Sequence, residues 1–320
     1  MRAIEEAVEN ELRHDRRPIT LFMLGGVDVG KTYTVTALAN RFYEQGFKVA
    51  VVDADVGQSD VGPPCCIGMG LLERGIQKLS EVPLLSLYFV GNTSPFGSMH
   101  ECVDGAVAAV REAQKRKADL ILVDSTGWIE GEEARIFKQS EIRAIMPSFV
   151  VAIEKEDELG HILAHITGKV IRLQRSPETK SRTREERKAL REEAYNSYFS
   201  AAQDRVFELA LLTWHPERGT ILGLFGHPCD GDEDGEKLLG LGILRKLDYK
   251  SGKVVVGTPV DTQTGDTAPV TKIKPGRVKL IEVNGGYKEV KSTYDLSPYR
   301  ACEVVVAEPH TIKTSTHREY

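Results

Sequence analysis

The sequence predicts an α/β protein with a parallel sheet covered by helices on both faces, plus a small β-rich C-terminal domain. Three observations support this fold class. Apolar runs typical of buried strands alternate with amphipathic segments of helical period. A glycine-rich turn at residues 25–32 follows the first of these strands. Beyond about residue 200, short apolar runs separated by glycine and proline turns replace the helical pattern.

Six strands and four helices are predicted in the first half of the chain. The strands are 19–24, 48–53, 84–90, 119–124, 148–153 and 169–173, and the helices are 3–13, 32–45, 99–115 and 131–145. Residues 176–199 are strongly charged and mostly helical in pattern. Turn signals such as Asp234-Gly235 and Pro275-Gly276 then indicate strands. We therefore expect a first domain over residues 1–200 and a β-rich domain over residues 201–320.

Composition excludes several classes of protein. The chain has 320 residues and a net charge of -5, which argues against coating nucleic acid with a generally basic surface but allows a local arginine cluster to bind one strand end. No apolar run is long enough to span a bilayer, and the first 17 residues lack the apolar core of a secretory signal. The five cysteines are scattered, without metal-ligand spacing. We expect a cytoplasmic protein.

The glycine-rich turn fits the pattern G-x-x-x-x-G-K-[ST], which binds the phosphates of a nucleoside triphosphate. A chance glycine turn is disfavoured, because a predicted strand precedes it and a predicted helix follows. Lys31 is expected to reach the β- and γ-phosphates, and Thr32 to bind Mg²⁺. The fold is therefore expected to be of the P-loop NTPase type, with ATP held by Gly25, Gly26, Val27, Asp28, Val29, Gly30, Lys31, Thr32 and Tyr33.

Carboxylates stand at the ends of two other predicted strands. Asp53 and Asp55 end the second strand, and Asp124 ends the strand 119–124. Ligands bind at the carboxyl ends of the strands in open α/β sheets. One of the first two carboxylates is expected to hold Mg²⁺ and the other to accept a proton from a hydroxyl, with Asp124 as a further metal candidate. The alternative is a helix cap and a turn aspartate.

Two further features have both a functional and a structural interpretation. Trp128 follows a glycine at a strand tip, where its ring either closes over a ligand or packs in a core or interface. Arg187 and Arg191 share one helical face, and like charges at that spacing cost roughly 0.2–0.5 kcal/mol. Either an anion meets these arginines or nearby carboxylates neutralise them, the candidates being Glu186, Glu192 and Glu193.

Taken together, residues 19–200 resemble the polynucleotide 5′-hydroxyl kinase family, which includes archaeal RNA and DNA kinases and eukaryotic kinases of messenger-RNA cleavage and ribosomal-RNA processing. The phosphate loop is similar to the family's T-D-V-G-K-[ST]. The remaining motifs appear in family order as D-x-D-x-G-Q, G-x-T-S-P, T-x-G-W and R-x-x-x-R with an aromatic pair. Their residues here are Asp53, Asp55, Gly57 and Gln58; Gly91, Thr93, Ser94 and Pro95; Ser125, Gly127 and Trp128; and Arg187, Arg191, Tyr198 and Phe199.

The resemblance implies ATP-dependent phosphorylation of a 5′-hydroxyl on RNA, with DNA as the other acceptor. It implies that Asp55 is the general base, that Asp53 helps to place Mg²⁺, and that Arg187 and Arg191 neutralise the transferring phosphoryl group. Trp128 would hold the terminal nucleotide. The nucleic-acid contacts implied by the motifs are Gln58, Thr93, Ser94, Ser125, Gly127 and Trp128.

Two alternatives from other classes share the phosphate loop. One is an ATPase or GTPase switch, or a metallochaperone-like protein, that acts on a protein partner. The chain lacks the guanine-reading N-K-x-D and T-K-x-D patterns, which weakens the GTPase version. The other is a non-catalytic scaffold that holds ATP, and the presence of Lys31, Thr32 and Asp55 counts against it.

Overall fold

The computed structural model describes residues 1–14, 16–176, 181–227, 236–261 and 269–290. Residues 177–180 of the charged segment, the Asp234-Gly235 turn, Cys229 and residues 291–320 lie outside the described part. The described helices include none that combines the length and apolar character needed to cross a membrane.

The helices and strands of residues 1–200 match the prediction except for one strand and one short helix that it did not contain. The helices are α1 (Arg2–Arg13), α2 (Lys31–Glu44), α3 (Met99–Lys115), α4 (Gly131–Ile145), α5 (Gly160–Leu163) and α6 (Arg184–Tyr198). The strands are β1 (Ile19–Gly25), β2 (Val49–Ala54), β3 (Cys66–Leu71), β4 (Leu84–Phe89), β5 (Leu120–Ser125), β6 (Phe149–Glu154) and β7 (Val170–Gln174).

The first sheet has the order β4-β3-β2-β5-β1-β6-β7. Strands β2, β5, β1, β6 and β7 pair in parallel, as predicted. Strand β3 was not predicted, and it runs antiparallel to both β2 and β4. A Cβ on Gly68 would lie 1.7 Å from the Val61 carbonyl oxygen, and one on Gly70 would lie 2.2 Å from that of Pro83. These glycines allow close backbone packing but interrupt the apolar run that identifies a buried strand.

Two apolar layers cover the sheet. Phe22 and Leu24 of β1 pack with α3 and α4 on one face, whereas Leu21 and Met23 pack with α1 and α2 on the other. Alternate residues of a strand point to opposite faces, so β1 is buried on both sides. Parallel pairing aligns Asp53 of β2 with Asp124 of β5, and the loop after β1 starts beside them.

The second sheet is antiparallel, with the order β13-β12-β9-β10-β11-β8. Its strands are β8 (Gln203–Glu208), β9 (Thr220–Gly226), β10 (Lys237–Asp248), β11 (Lys253–Thr258), β12 (Val270–Val283) and β13 (Gly286–Val290). This sheet confirms the predicted β-rich region over the residues described. Its apolar face shares a core with Cys66 and Phe89 of the first sheet, with Tyr195 of α6 and with Phe199, which directly follows that helix. Helix α6 is therefore packed against the second sheet.

Candidate active site

The glycine-rich loop is shaped by close approaches that exclude side chains. A Cβ on Gly25 would lie 2.6 Å from the carbonyl oxygen of Ile153 in β6. Gly30 has a φ of 98° and caps the start of α2, a conformation that favours glycine. The loop therefore delivers the N-terminus of α2, whose free N–H groups attract anions, to the carboxyl edge of the sheet.

Lys31 lies inside this loop. Its buried ammonium donates to the carbonyl oxygens of Gly26 at 2.7 Å and Gly25 at 3.0 Å. Burial lowers the pKa of Lys31 from its ordinary value, while Asp124 and Asp55 oppose the shift. The lysine is thus a fixed cation at the mouth of the phosphate loop, with two carboxylates near it.

Thr32 and Asp124 form a site that suits Mg²⁺. The threonine hydroxyl donates to Asp124 Oδ2 at 2.5 Å, and Asp124 Oδ1 is buried without a hydrogen-bond partner among the described residues. Burial raises the pKa of Asp124 to about 6, despite the opposing effects of Lys31 and Thr32. A buried, underused carboxylate beside a hydroxyl at a phosphate loop matches the oxygen ligands that Mg²⁺ prefers.

The structure gives Asp53 a different task from the predicted metal contact. Its Oδ1 accepts from the Asp55 amide at 3.1 Å, and its Oδ2 accepts from the amides of Asp60 and Val61 at 2.6 and 2.9 Å. Burial, with Asp124 and Asp60 nearby, raises the pKa of Asp53 well above its ordinary value. These contacts show Asp53 holding the loop after β2, so its metal role stays a prediction.

Asp55 is half-buried at the start of this loop. Its Oδ1 accepts from the amides of Gly57 and Gln58, both at 3.1 Å, in a turn that fixes the carboxylate. No hydrogen bond to Asp55 Oδ2 is found in the described part of the chain. A Cβ on Gly57 would lie 2.8 Å from the Thr93 carbonyl oxygen, so this loop and the Thr93-Ser94 segment lie in contact. Gln58 Nε2 also donates to the Arg187 carbonyl at 3.1 Å, which links the loop to α6.

Ser125, the last residue of β5, and Gly127, two residues later, lie in different environments. Ser125 is fully buried and its hydroxyl donates to the Met23 carbonyl at 2.6 Å. The structure thus places Ser125 beneath the site surface. For the predicted nucleic-acid contact, its hydroxyl would have to give up the hydrogen bond to Met23. Gly127 packs against the phosphate loop, where an added Cβ would lie 2.7 Å from a Val27 side-chain carbon.

Trp128 combines the two interpretations offered by the sequence. Its ring stacks on Phe137 of α4 at a centroid distance of 5.8 Å, which is a packing contact. It also meets the Phe96 ring edge-on at 6.1 Å. Trp128 remains half-buried, and Phe96 is 64% exposed. Neither phenylalanine was predicted as a site residue, although Phe96 directly follows the Thr93-Ser94-Pro95 motif.

The two predicted arginines have different partners. Arg187 donates to Asp28 Oδ2 of the phosphate loop at 3.1 Å, and the Arg182 amide donates to the same oxygen at 2.8 Å. Arg191 instead donates from Nε and Nη2 to both carboxylate oxygens of Glu289, at 2.8 and 3.1 Å. The structure brings Arg187 to the phosphate loop and ties Arg191 to β13.

The carboxylate that neutralises Arg191 comes from the second sheet and not from α6. Of the three predicted candidates, Glu186 forms a capping box with Thr183. Glu192 accepts from Lys288 Nζ at 2.8 Å and from the Glu289 amide at 3.0 Å. These bonds dock one face of α6 on β13, which leaves Arg187 on the side of the phosphate loop.

Tyr33 is 77% exposed at the first turn of α2, on the surface next to the phosphate loop.

The remaining polar clusters suggest no additional metal centre. His161 Nε2 is 3.0 Å from the Ile129 carbonyl oxygen. Over the described ranges, no group of three or more histidine, cysteine or acidic side chains could hold a metal ion.

Comparison with known proteins identifies the family. The sequence model described as "mRNA cleavage and polyadenylation factor CLP1 P-loop" matches residues 25–201, more than half of the chain. The chain belongs to the CLP1 P-loop family. This result confirms the resemblance drawn from the motifs, which all lie within the matched residues or at their edge.

Proteins from archaea and animals are similar to this chain. The polyribonucleotide 5′-hydroxyl-kinase of Methanocaldococcus jannaschii is 30% identical, covering 85% of this chain and 90% of that protein. The protein of the same name from Pyrococcus furiosus is 38% identical over 61% of this chain and 54% of its own length. A CLP1 homolog from Nematostella vectensis is 25% identical, covering 64% and 51%.

The fold is also found in a solved CLP1 structure. The wild-type Clp1p–Pcf11p complex aligns with a TM-score of 0.64 at 12% identity, covering 88% of this chain and 80% of the other. The alignment extends well beyond the residues of the family model. It therefore supports the assignment of a P-loop domain followed by a separate β domain.

Proposed function

We propose that this protein transfers the γ-phosphate of ATP to the 5′-hydroxyl of RNA. The observation that supports this most strongly is the convergence of Lys31, Asp55 and the Thr32–Asp124 pair at one edge of the sheet, with Arg187 of α6 bonded to the phosphate loop. A fixed cation, a metal site, a free carboxylate oxygen and an arginine are the parts that phosphoryl transfer requires. The names of the archaeal relatives, polyribonucleotide 5′-hydroxyl-kinases, support the same proposal.

Each residue has one task in this proposal. The loop amides and Lys31 hold the β- and γ-phosphates, and Thr32 and Asp124 hold Mg²⁺, which supplies charge neutralisation when bound. Asp55 accepts the proton of the 5′-hydroxyl, whose oxygen forms a bond to the γ-phosphorus while the bond to the bridging oxygen of ADP breaks. Arg187 lies close enough to the loop to neutralise the transferring group, and the same role for Arg191 stays a prediction.

The aromatic pair formed by Trp128 and Phe96 is proposed to hold the first nucleotide. Base stacking on aromatic rings is worth about 1–3 kcal/mol per base and tolerates any sequence. The nearby Thr93, Ser94 and Gln58 supply polar atoms around the same loops. The proposal includes a cytoplasmic location, where both ATP and RNA are available.

The test is a transfer assay with γ-labelled ATP, Mg²⁺ and a decaribonucleotide that carries a 5′-hydroxyl. We expect label at the 5′ end, removable by phosphatase, and none with a 5′-phosphorylated decamer. A matching deoxyribonucleotide measures the RNA preference. ATP hydrolysis to free phosphate at a rate that does not depend on the oligonucleotide would support the switch alternative. Bound ATP without turnover would support the scaffold alternative.

A further inference from the structure

The β-rich domain contributes a residue beside the proposed nucleotide site. Strand β12 carries a register shift between Pro275 and Lys279, where the strand departs from regular pairing with β9. Within this bulge Pro275, Gly276 and Val278 are buried, but Arg277 is exposed. The bulge therefore anchors its backbone in the fold and directs one arginine outward.

The bulge is fastened to the first domain at Gly91, the first residue of the Gly91–Pro95 motif. The Arg277 amide donates to the Gly91 carbonyl oxygen at 2.6 Å. A Cβ on Gly276 would lie 2.7 Å from that oxygen, and Gly91 itself has a φ of 75°. Two glycines thus allow the backbones to touch, so the position of Arg277 is fixed relative to the motif.

The Arg277 side chain then extends along the same loop. Its Nη1 lies 2.7 Å from the position that a Cβ on Gly97 would occupy. Gly97 follows Phe96, whose ring contacts Trp128. Through these contacts, Trp128, Phe96, Gly97 and Arg277 follow one another in space.

Arg277 lacks the kind of carboxylate partner that two other cations of β12, Lys272 and Lys279, have. Lys272 pairs with Glu236 at 2.9 Å, and Lys279 pairs with Glu217. Within the described residues, the Arg277 guanidinium makes no ion pair or hydrogen bond. An exposed, positionally fixed and unneutralised guanidinium is suited to a phosphate, which it can bind through two parallel N–H donors.

We propose that Arg277 binds a phosphodiester of the acceptor strand on the 3′ side of the terminal nucleotide. This inference rests on the proposed function and adds a task for the β-rich domain. The site would bind a phosphate of a single-stranded polynucleotide. Because this contact comes from the β-rich domain and lies beyond the terminal nucleotide, the protein should prefer an oligonucleotide over a mononucleotide. A protein partner with an acidic segment is the competing occupant.

The experiment compares wild-type protein with Arg277→Ala on 5′-hydroxyl oligoribonucleotides of two to ten nucleotides. We expect KM for the decamer to rise about tenfold, with kcat and the KM for ATP unchanged, and the advantage of longer strands to be reduced. The slope of log affinity against log salt should fall by about 0.7, as expected for one lost phosphate contact on a single strand. Arg277→Lys should recover most of the loss.

The matched control is Arg111→Ala. Arg111 is also exposed, makes no ion pair or side-chain hydrogen bond within the described residues, and lies about 18 Å along α3 from the helix start near the site. This substitution should change neither KM nor the salt slope. An Arg277→Ala protein with unchanged decamer KM and salt slope would overturn the proposal and favour the acidic partner. Equal losses for ATP and RNA would also overturn it, since they indicate a general structural effect.

Two measurements keep the test independent of protein folding and of catalysis. Wild-type protein is photo-crosslinked to decamers carrying 4-thiouridine at positions two to four, and the adducts are mapped. Adducts at residues 96–97 or 276–278 support the proposal, and their absence overturns it. Oligonucleotide binding is also measured by fluorescence anisotropy without ATP. This measurement separates the Arg277 proposal from the proposed kinase activity, because it tests Arg277 even if wild-type protein transfers no phosphate.

Discussion

Replacing Asp124 with asparagine should stabilise the ligand-free protein while removing its activity. The pKa of Asp124 is about 6 in the folded protein, against an ordinary value of 3.8, because its carboxylate is buried and Oδ1 lacks a described partner. One pKa unit corresponds to about 1.4 kcal/mol, so above pH 6 the ionised carboxylate costs the folded state on the order of 3 kcal/mol. Asparagine is similar in shape, stays neutral and can still accept from Thr32.

The sign of the pH dependence follows from the direction of that shift. The folded state binds the proton more tightly than the unfolded state, so this group lowers the stability of wild-type protein as pH rises from about 4 to about 6. Asp124→Asn does not titrate. Its stability advantage should therefore be absent near pH 4, grow through this interval and remain constant above it.

The assay is thermal unfolding without Mg²⁺ or nucleotide, from pH 4 to pH 8. At pH 8 we expect a Tm higher by roughly 5–10 °C in Asp124→Asn, and no change in Asp104→Asn, an exposed control on α3. Adding Mg²⁺ and ATP should stabilise wild-type protein far more than Asp124→Asn. A Tm equal to or below wild type at pH 8, or a difference independent of pH, would refute the electrostatic argument.

Three further predictions concern the reaction. Lys31→Ala should lower transfer at least about 1,000-fold because the phosphates lose their fixed cation; near-normal turnover in the labelled-ATP assay would exclude Lys31 from the site. Asp55→Asn should lower kcat about 100- to 10,000-fold while ATP affinity, measured by calorimetry, is kept; a parallel loss of affinity would indicate a structural role. Trp128→Ala should raise the oligonucleotide KM about 10- to 100-fold and leave that for ATP unchanged; equal changes in both would mean that the indole only packs on Phe137.

The first sheet was predictable from sequence because β1, β2, β5 and β6 are buried on both faces and therefore read as unbroken apolar runs. The strand β3 was missed because its apolar run is broken. Gly68 and Gly70 stand where apolar side chains would mark a buried strand, and they make close backbone contacts instead. The glycine-rich loop was predictable because one short segment supplies all of its parts.

Site features that depend on distant residues were not predictable. The pairing of Arg191 with Glu289 joins positions far apart in the chain, and a local count of charges points to α6 carboxylates instead. Ser125 was expected to contact nucleic acid, but its orientation toward Met23 follows from the register of β5 against β1. The pattern of Asp53 hydrogen bonds depends on the path of the loop after β2, which the sequence does not specify.

The most direct test of the central claim is the stoichiometry of a single turnover. Protein in excess over ATP is mixed with Mg²⁺ and a 5′-hydroxyl decaribonucleotide, and ADP, free phosphate and 5′-phosphorylated RNA are quantified over time. We predict one phosphorylated 5′ end for each ADP formed, with little free phosphate. ADP formed with an equal amount of free phosphate and unmodified RNA would contradict it.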